Sequence, residues 1–174
     1  MTRQRQSQKD PRRLISLLST RHTIRIGTWN VRSMYQAGKA SSIAEEMRNY
    51  NLEILGLSEV RWIQSGKCKL SSGETVLYSG HEDPSAPHTE GVALMISKHA
   101  VRTLISWEPI NSRLITALFK TSHCKINVRI IQCYAPTNEA EEATKEEFYN
   151  ALQSLIAGRE GRFQRQDRRR QQRV

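Results

Sequence analysis

Thr23-Ile24-Arg25-Ile26-Gly27-Thr28-Trp29-Asn30 and Leu52-Glu53-Ile54-Leu55-Gly56-Leu57-Ser58-Glu59 frame the stretch that decides the fold. In the first segment Ile24, Ile26 and Thr28 alternate with Arg25 and Gly27, the period-two pattern of a half-buried strand, which ends at Asn30. The second is nearly all apolar through Leu57, as expected for a strand covered on both faces, and it delivers Ser58-Glu59-Val60-Arg61-Trp62 to its C-terminal end. Between them Ala40, Ile43, Ala44, Met47 and Tyr50 recur at spacings of three and four, so residues 39–51 form an amphipathic helix. A strand, helix, strand unit results.

Toward the C-terminus, residues 75–78, 91–97, 101–107, 114–120 and 125–134 read as successive antiparallel strands, separated by clusters of Gly, Pro, Asn and His. Asn138 followed by Glu141 suits a capping box, and Phe148, Ala151, Leu152, Leu155 and Ile156 give the apolar stripe of a final helix that Gly158 ends. Outside this span the chain changes character. Residues 1–22 lack sustained periodicity, and residues 158–174 are Arg, Gln and Gly with almost no apolar side chain, too little to offset the entropy of ordering. The expected organisation is a disordered basic tail over 1–22, one domain over 23–157, and a disordered Arg/Gln-rich tail over 158–174.

A length of 174 residues suits one domain, and 37% hydrophobic with 6% aromatic residues predicts a small core. The net charge of +10 points to an acidic partner. That charge sits at the ends: residues 1–25 hold seven Lys/Arg against Asp10, and residues 158–174 seven Arg against Glu160 and Asp167. Residues 26–157 carry 13 basic and 14 acidic side chains, so the body is not a basic domain. Cys68, Cys124 and Cys133 form no CxxC pair and cannot all be disulfide-bonded, which fits an intracellular compartment, the nucleus among those it allows. The apolar run Leu14 to Leu18 is too short for a secretory signal, and no stretch is apolar enough to span a membrane.

Asn30 and Glu59 fall at the C-terminal ends of strands flanking one helix, where α/β sheets keep ligands. Magnesium takes hard oxygen ligands, commonly one or two carboxylates with water and substrate phosphate, so this pair is a plausible half-site. Each residue alone reads first as an ordinary strand-end polar group. A structural zinc site is not expected, because His81, His88, His123, Cys124 and Cys133 lack its ligand spacing.

Context raises the reading. Gly27-Thr28-Trp29-Asn30-Val31, Leu57-Ser58-Glu59-Val60-Arg61-Trp62, Gly91-Val92-Ala93-Leu94, Ser112-Arg113-Leu114-Ile115 and Cys133-Tyr134-Ala135-Pro136-Thr137 occur in an order and spacing that resemble the endonuclease/exonuclease/phosphatase superfamily. The similarity is to the branch of non-LTR retrotransposon endonucleases and craniofacial development protein 2-like relatives, over residues 23–156, and Trp-Asn with Ser-Glu-Val-Arg-Trp is its most specific pair. The resemblance implies an α/β (α+β) fold, the first half of a four-layer α/β/β/α sandwich with mostly antiparallel sheets. It implies magnesium-dependent hydrolysis of DNA phosphodiesters, with Glu59 as the metal ligand and Asn30 and Tyr134 as catalytic residues. Arg61, Arg113 and Thr137 match positions that hold nucleic acid, through phosphate contacts where the residue is Arg. For Arg113 a surface ion pair, and for Tyr134 a core aromatic, are the readings from the residues alone.

Two further motifs of that family, Gly-Asp-x-Asn and Ser-Asp-His, are absent. The only aspartates are Asp10, Asp83 and Asp167, and no histidine follows His123. The resemblance therefore implies a C-terminally truncated copy, catalytically incomplete by itself, with one apolar sheet face exposed to a partner or a second copy and with poor solubility otherwise. The alternative is a non-enzymatic protein that associates with DNA or other nucleic acid through its Arg-rich tails.

Overall fold

A computed structural model of the chain describes residues 24–121 and 126–158. The basic tails, except Gly158, and His123-Cys124 lie outside the described residues. The chain runs through β1 (Ile26–Asn30), α1 (Lys39–Asn49), β2 (Ile54–Ser58), β3 (Ser65–Lys69), β4 (Thr75–Ser79), β5 (Val92–Ile96), β6 (Leu104–Asn111), β7 (Leu114–Lys120), β8 (Asn127–Cys133) and α2 (Glu142–Ile156).

Two sheets form. The first is five-stranded in the order β1-β2-β5-β4-β3, and the second is three-stranded in the order β6-β7-β8. β1 and β2 pair in parallel, because α1 carries the chain back between them; every other pairing is antiparallel. The fold class is thus α/β with mostly antiparallel sheets, as the resemblance implies.

Alternation within the strands decides what each face meets. Leu55, Leu57, Val76, Ala93 and Met95 turn to one side and bury Ile43, Ala44 and Met47 of α1. Ile54, Leu77, Val92, Leu94 and Ile96 turn to the other and meet Ile115, Ala117 and Phe119 of β7. The first sheet is therefore apolar on both faces, which is why β2 and β5 read as continuous hydrophobic runs. α2 lies beyond the second sheet, with Phe148 buried and Arg129 of β8 donating to the Leu155 carbonyl at 3.2 Å. The layers are α1, first sheet, second sheet, α2.

Four local expectations differ from the structure. β3 was not expected: Ser65-Gly66-Lys67-Cys68-Lys69 is polar because it forms an edge with one solvated face. The strand expected over 101–107 begins later, since Ala100–Thr103 is a 3-10 turn, and it continues through Pro109 to Asn111. Proline is tolerated there because β6 is an edge strand whose register shifts between Pro109 and Asn111. Helix α1 stops at Asn49, with Asn51 at a left-handed φ of 52°, which leaves Tyr50 exposed. Helix α2 starts at Glu142 with Glu141 as its N-cap and no side-chain cap bond, so the Asn138–Glu141 box does not form.

A wholly exposed sheet face is also not what the structure has. The two sheets cover one another, and the apolar side chains left exposed on the strands are Ile26 and Trp29 of β1, which extends sideways past β8, and Ile105 of the edge strand β6. Ile26 is 54% exposed. Beside it a small apolar groove of about 120 Å³ runs between Ile24, Ile26 and Ile54 on one sheet and Phe119, Val128 and Ile130 on the other. No helix among the described residues is long and apolar enough to cross a membrane.

Candidate active site

The site lies where β1, β2 and β8 end. Parallel pairing sets Asn30 beside Ser58, so the residue after Ser58, Glu59, comes within reach of the Asn30 side chain. Asn30 Nδ2 donates to Glu59 Oε1 at 2.7 Å, and Asn30 Oδ1 accepts from the Arg32 backbone at 3.0 Å. From the other sheet Tyr134 donates its hydroxyl to the same Glu59 Oε1 at 2.9 Å. Two residues far apart in sequence thus converge on one carboxylate oxygen.

The loops holding these groups are tightly bent. Arg32, Glu59, Arg61 and Glu90 all have left-handed φ near 60°, conformations that cost a non-glycine residue about 1–3 kcal/mol each. Backbone hydrogen bonds over-determine them: Val60 N to Gly91 O at 3.0 Å, Arg61 N to Glu90 O at 2.8 Å, and Gly91 N to Ser112 O at 3.1 Å. Gly91, at φ +84°, must be glycine, because a Cβ there would press against the Arg61 backbone nitrogen.

Arg113 holds the far wall. Its Nη2 pairs with Glu90 Oε1 at 2.6 Å, its Nη1 donates to the Tyr134 carbonyl at 3.2 Å, and its guanidinium lies 5.2 Å from the Tyr134 ring centre. Ser112 Oγ donates to the other Glu90 oxygen at 2.5 Å. The ion-pair reading of Arg113 is therefore realised, with both partners half-buried rather than on the open surface. The core-aromatic reading of Tyr134 is seen in its ring, which packs on the inter-sheet core, while its hydroxyl reaches Glu59.

Together Glu59, Arg61, Thr89, Glu90, Arg113, Tyr134 and Thr137 line an open cleft of about 300 Å³. The structure brings all six expected residues to one place, five on the cleft and Asn30 one hydrogen bond away. Sequence reasoning missed Glu90, Thr89 and Ser112. Glu90 precedes β5 as a lone acidic residue with no spacing signal, and only its contact with Arg113 identifies it.

Electrostatics follow from the contacts. The Asn30 hydrogen bond, against the opposing effect of partial burial, holds the Glu59 carboxyl below the usual glutamate range, with help from Tyr134, Arg61 and Arg32. Arg61 Nη2 is 3.7 Å from Glu59 Oε2. Burial, then the bond to Glu59, pushes the Tyr134 phenol up. An ionised Glu59 and a neutral, donating Tyr134 are mutually stabilising. Cys68 and Cys133 are free thiols raised by burial, which leaves them poor nucleophiles.

A hard divalent cation suits this donor set only in part. Glu59 offers a carboxylate, but Asn30 turns its amide nitrogen toward it and its oxygen to the Arg32 backbone, and no group of three or more His, Cys, Asp or Glu side chains among the described residues could hold a metal. The remaining ligands would have to be water and substrate oxygens.

The endonuclease/exonuclease/phosphatase family model matches residues 27–164 of the chain. Craniofacial development protein 2 of Bos taurus is 37% identical over 131 residues, 75% of this chain and 21% of that protein. The protein of the same name in Tragulus javanicus is also 37% identical over 131 residues, with 75% and 22% covered. The chain thus spans about a fifth of the length of these curated relatives. Among solved structures, the AP endonuclease LMAP from Leishmania major superposes with a TM-score of 0.46 at 14% identity, covering 75% of this chain and 44% of that one. On the extent of the family match, this chain belongs to the endonuclease/exonuclease/phosphatase family.

Proposed function

We propose that the cleft is the metal- and phosphate-binding part of a magnesium-dependent DNA phosphodiesterase site of retrotransposon type. The observation that carries the reading is the convergence of Asn30, Tyr134 and the Arg61 guanidinium on Glu59. Hydrolysis of a phosphodiester needs charge neutralisation at phosphate, an oriented water and help for the departing oxygen. A magnesium ion, when bound, supplies the first of these as a Lewis acid. Glu59 would hold it, with Asn30 orienting the carboxylate. Tyr134, kept protonated, donates toward a phosphate oxygen when it is not bonded to Glu59. Arg61 and Thr137 contact the nucleic-acid backbone from the cleft rim, and Arg113 acts there mainly by holding Tyr134 and Glu90.

No aspartate or histidine of the described residues stands in the cleft to orient water or protonate the leaving oxygen. The chain by itself is therefore catalytically incomplete in this reading. Nicking of supercoiled DNA with magnesium, compared with EDTA and with Glu59→Ala, tests it. The expected result is little cutting by the chain alone. Robust cutting lost in Glu59→Ala would show that other residues complete the site, and robust cutting retained in Glu59→Ala would remove Glu59 from the chemistry.

The charge distribution favours a second reading, in which nucleic-acid association is driven by the arginines of residues 1–25 and 158–174. Binding would then weaken steeply with salt and show little sequence preference. Removing residues 1–22 and 158–174 should flatten the salt dependence; unchanged affinity and slope would refute this reading.

A further inference from the structure

The two sheets meet mainly through apolar side chains, with polar contacts at Ser79, whose Oγ donates to the Asn111 carbonyl at 2.7 Å, and at a point nearer Glu59 and Tyr134. Ser58 and Gln132 are each only 8% exposed, and Gln132 Nε2 donates to Ser58 Oγ at 3.0 Å across the inter-sheet space. Gln132 Nε2 also lies 3.2 Å from the Cys133 carbonyl, which holds the amide against its own strand. Opposite it, Gly56 leaves the necessary room, because a Cβ at that position would overlap the Gln132 amide. An asparagine, serine or leucine would fill neither role in the same way.

The positions of these residues give the contact its meaning. Ser58 immediately precedes Glu59, and Gln132 lies two residues before Tyr134, which follows β8 and packs on the same inter-sheet core. Apolar packing is non-directional, so Ile54, Val92, Ile115 and Ala117 hold the sheets together without fixing how far one slides over the other. A hydrogen bond has a length and an angle, and in a dry interface water does not compete for it. The other bonds to Tyr134 are to its backbone and come from Arg113, which accepts from its nitrogen, donates to its carbonyl, and is itself paired with Glu90 on the loop before β5.

We propose that Gln132 and Ser58 form an inter-sheet clasp that positions the Tyr134 hydroxyl on Glu59, making them positioning residues for the site. The proposal rests on the metal-site reading only for its functional consequence, since the geometry it controls exists without metal.

The test uses the full chain. The carbon-13 resonance of Tyr134 Cζ, identified with Tyr134→Phe and recorded at neutral pH without metal, reports the hydroxyl's bond to Glu59; Glu59→Ala supplies the broken-bond position. Gln132→Leu and Ser58→Ala should each move the resonance toward that position, and the double variant should move it no further than either alone. Ser58→Ala removes a single oxygen, so it keeps the test open if Gln132→Leu does not fold. Phe119→Leu, at the opposite end of the same inter-sheet core, is the control for lost packing and should leave the resonance in place.

In parallel, manganese binding is measured by titration. Loss of an outer hydrogen-bond partner of a metal ligand typically weakens binding on the order of 10–100-fold, and that is the loss expected for both clasp variants. If the wild-type chain binds no manganese while the resonance still moves, the metal reading falls and the clasp stands. An unmoved resonance in both variants, with lowered thermal stability, would overturn the proposal and leave Gln132–Ser58 as an ordinary buried polar pair.

Discussion

β1 and β2 lie side by side in parallel register, yet β2 is buried at all five positions and β1 is exposed at four of five. The difference comes from coverage. β2 has α1 on one face and β8 on the other, whereas β1 lies past the edge of the second sheet with Ile26 open to solvent. Each strand delivers one member of the site, so Glu59 stands on a support held from both sides and Asn30 on one held mainly by its neighbour. A carboxylate placed by the rigid strand is oriented by an amide from the looser one.

Truncation in the buried strand sets the largest expected effect. Leu57→Ala, at a fully buried position just before the site, should cost about 2–5 kcal/mol in chemical denaturation. A loss as small as that of a β1 variant would break the comparison. Gly56→Ala probes the opposite face of the same strand and should cost about 1–3 kcal/mol, by forcing Gln132 aside. If it proves neutral, the sheets are less closely set at that point than the structure has them.

Effects at the looser strand are electrostatic rather than structural. Asn30→Ala removes the largest influence lowering the Glu59 carboxyl and should raise its titration toward the ordinary value of 4.5, read by carbon-13 shifts of the Glu59 carboxylate. The sign also sets a pH dependence. A carboxyl lowered on folding contributes stability above its unfolded value of 4.5, and the contribution disappears as pH falls through the lowered folded value. Stability of the wild type relative to Glu59→Gln should therefore fall over that acid window and stay level above it. Ile26→Ala should have the smallest effect, within about 0.5 kcal/mol, because most of the side chain is already in water. A larger loss would mean that the apolar groove beside it is covered in solution.

The contrast between the two strands also explains what was legible beforehand. β2 and β5 announce themselves as continuous apolar runs because both of their faces are buried, and α1 by apolar residues three and four apart. β3 was silent because an edge strand with a solvated face needs little apolar content, and the start of β6 was misread because Val101 and Thr103 suit a strand as well as a 3-10 turn. Asn30, Glu59 and Tyr134 were legible through family motifs at strand ends. Glu90 was not, since its importance comes from an ion pair with a residue 23 positions away.

By itself the amino-acid sequence determined the order of the elements other than β3, the apolar stripe of α1, the separation of charge between ends and body, and the strand ends that carry polar groups. These are local properties, read from periodicity and residue type within a few positions. Tertiary structure alone decided that Asn30 and Tyr134 share one oxygen of Glu59, that Arg113 is engaged by Glu90, and that Gln132 reaches Ser58 across the sheets. Those contacts depend on how two sheets stack and how far one extends past the other. Periodicity assigns a residue to a face, but the distance between faces is set by packing across the whole core.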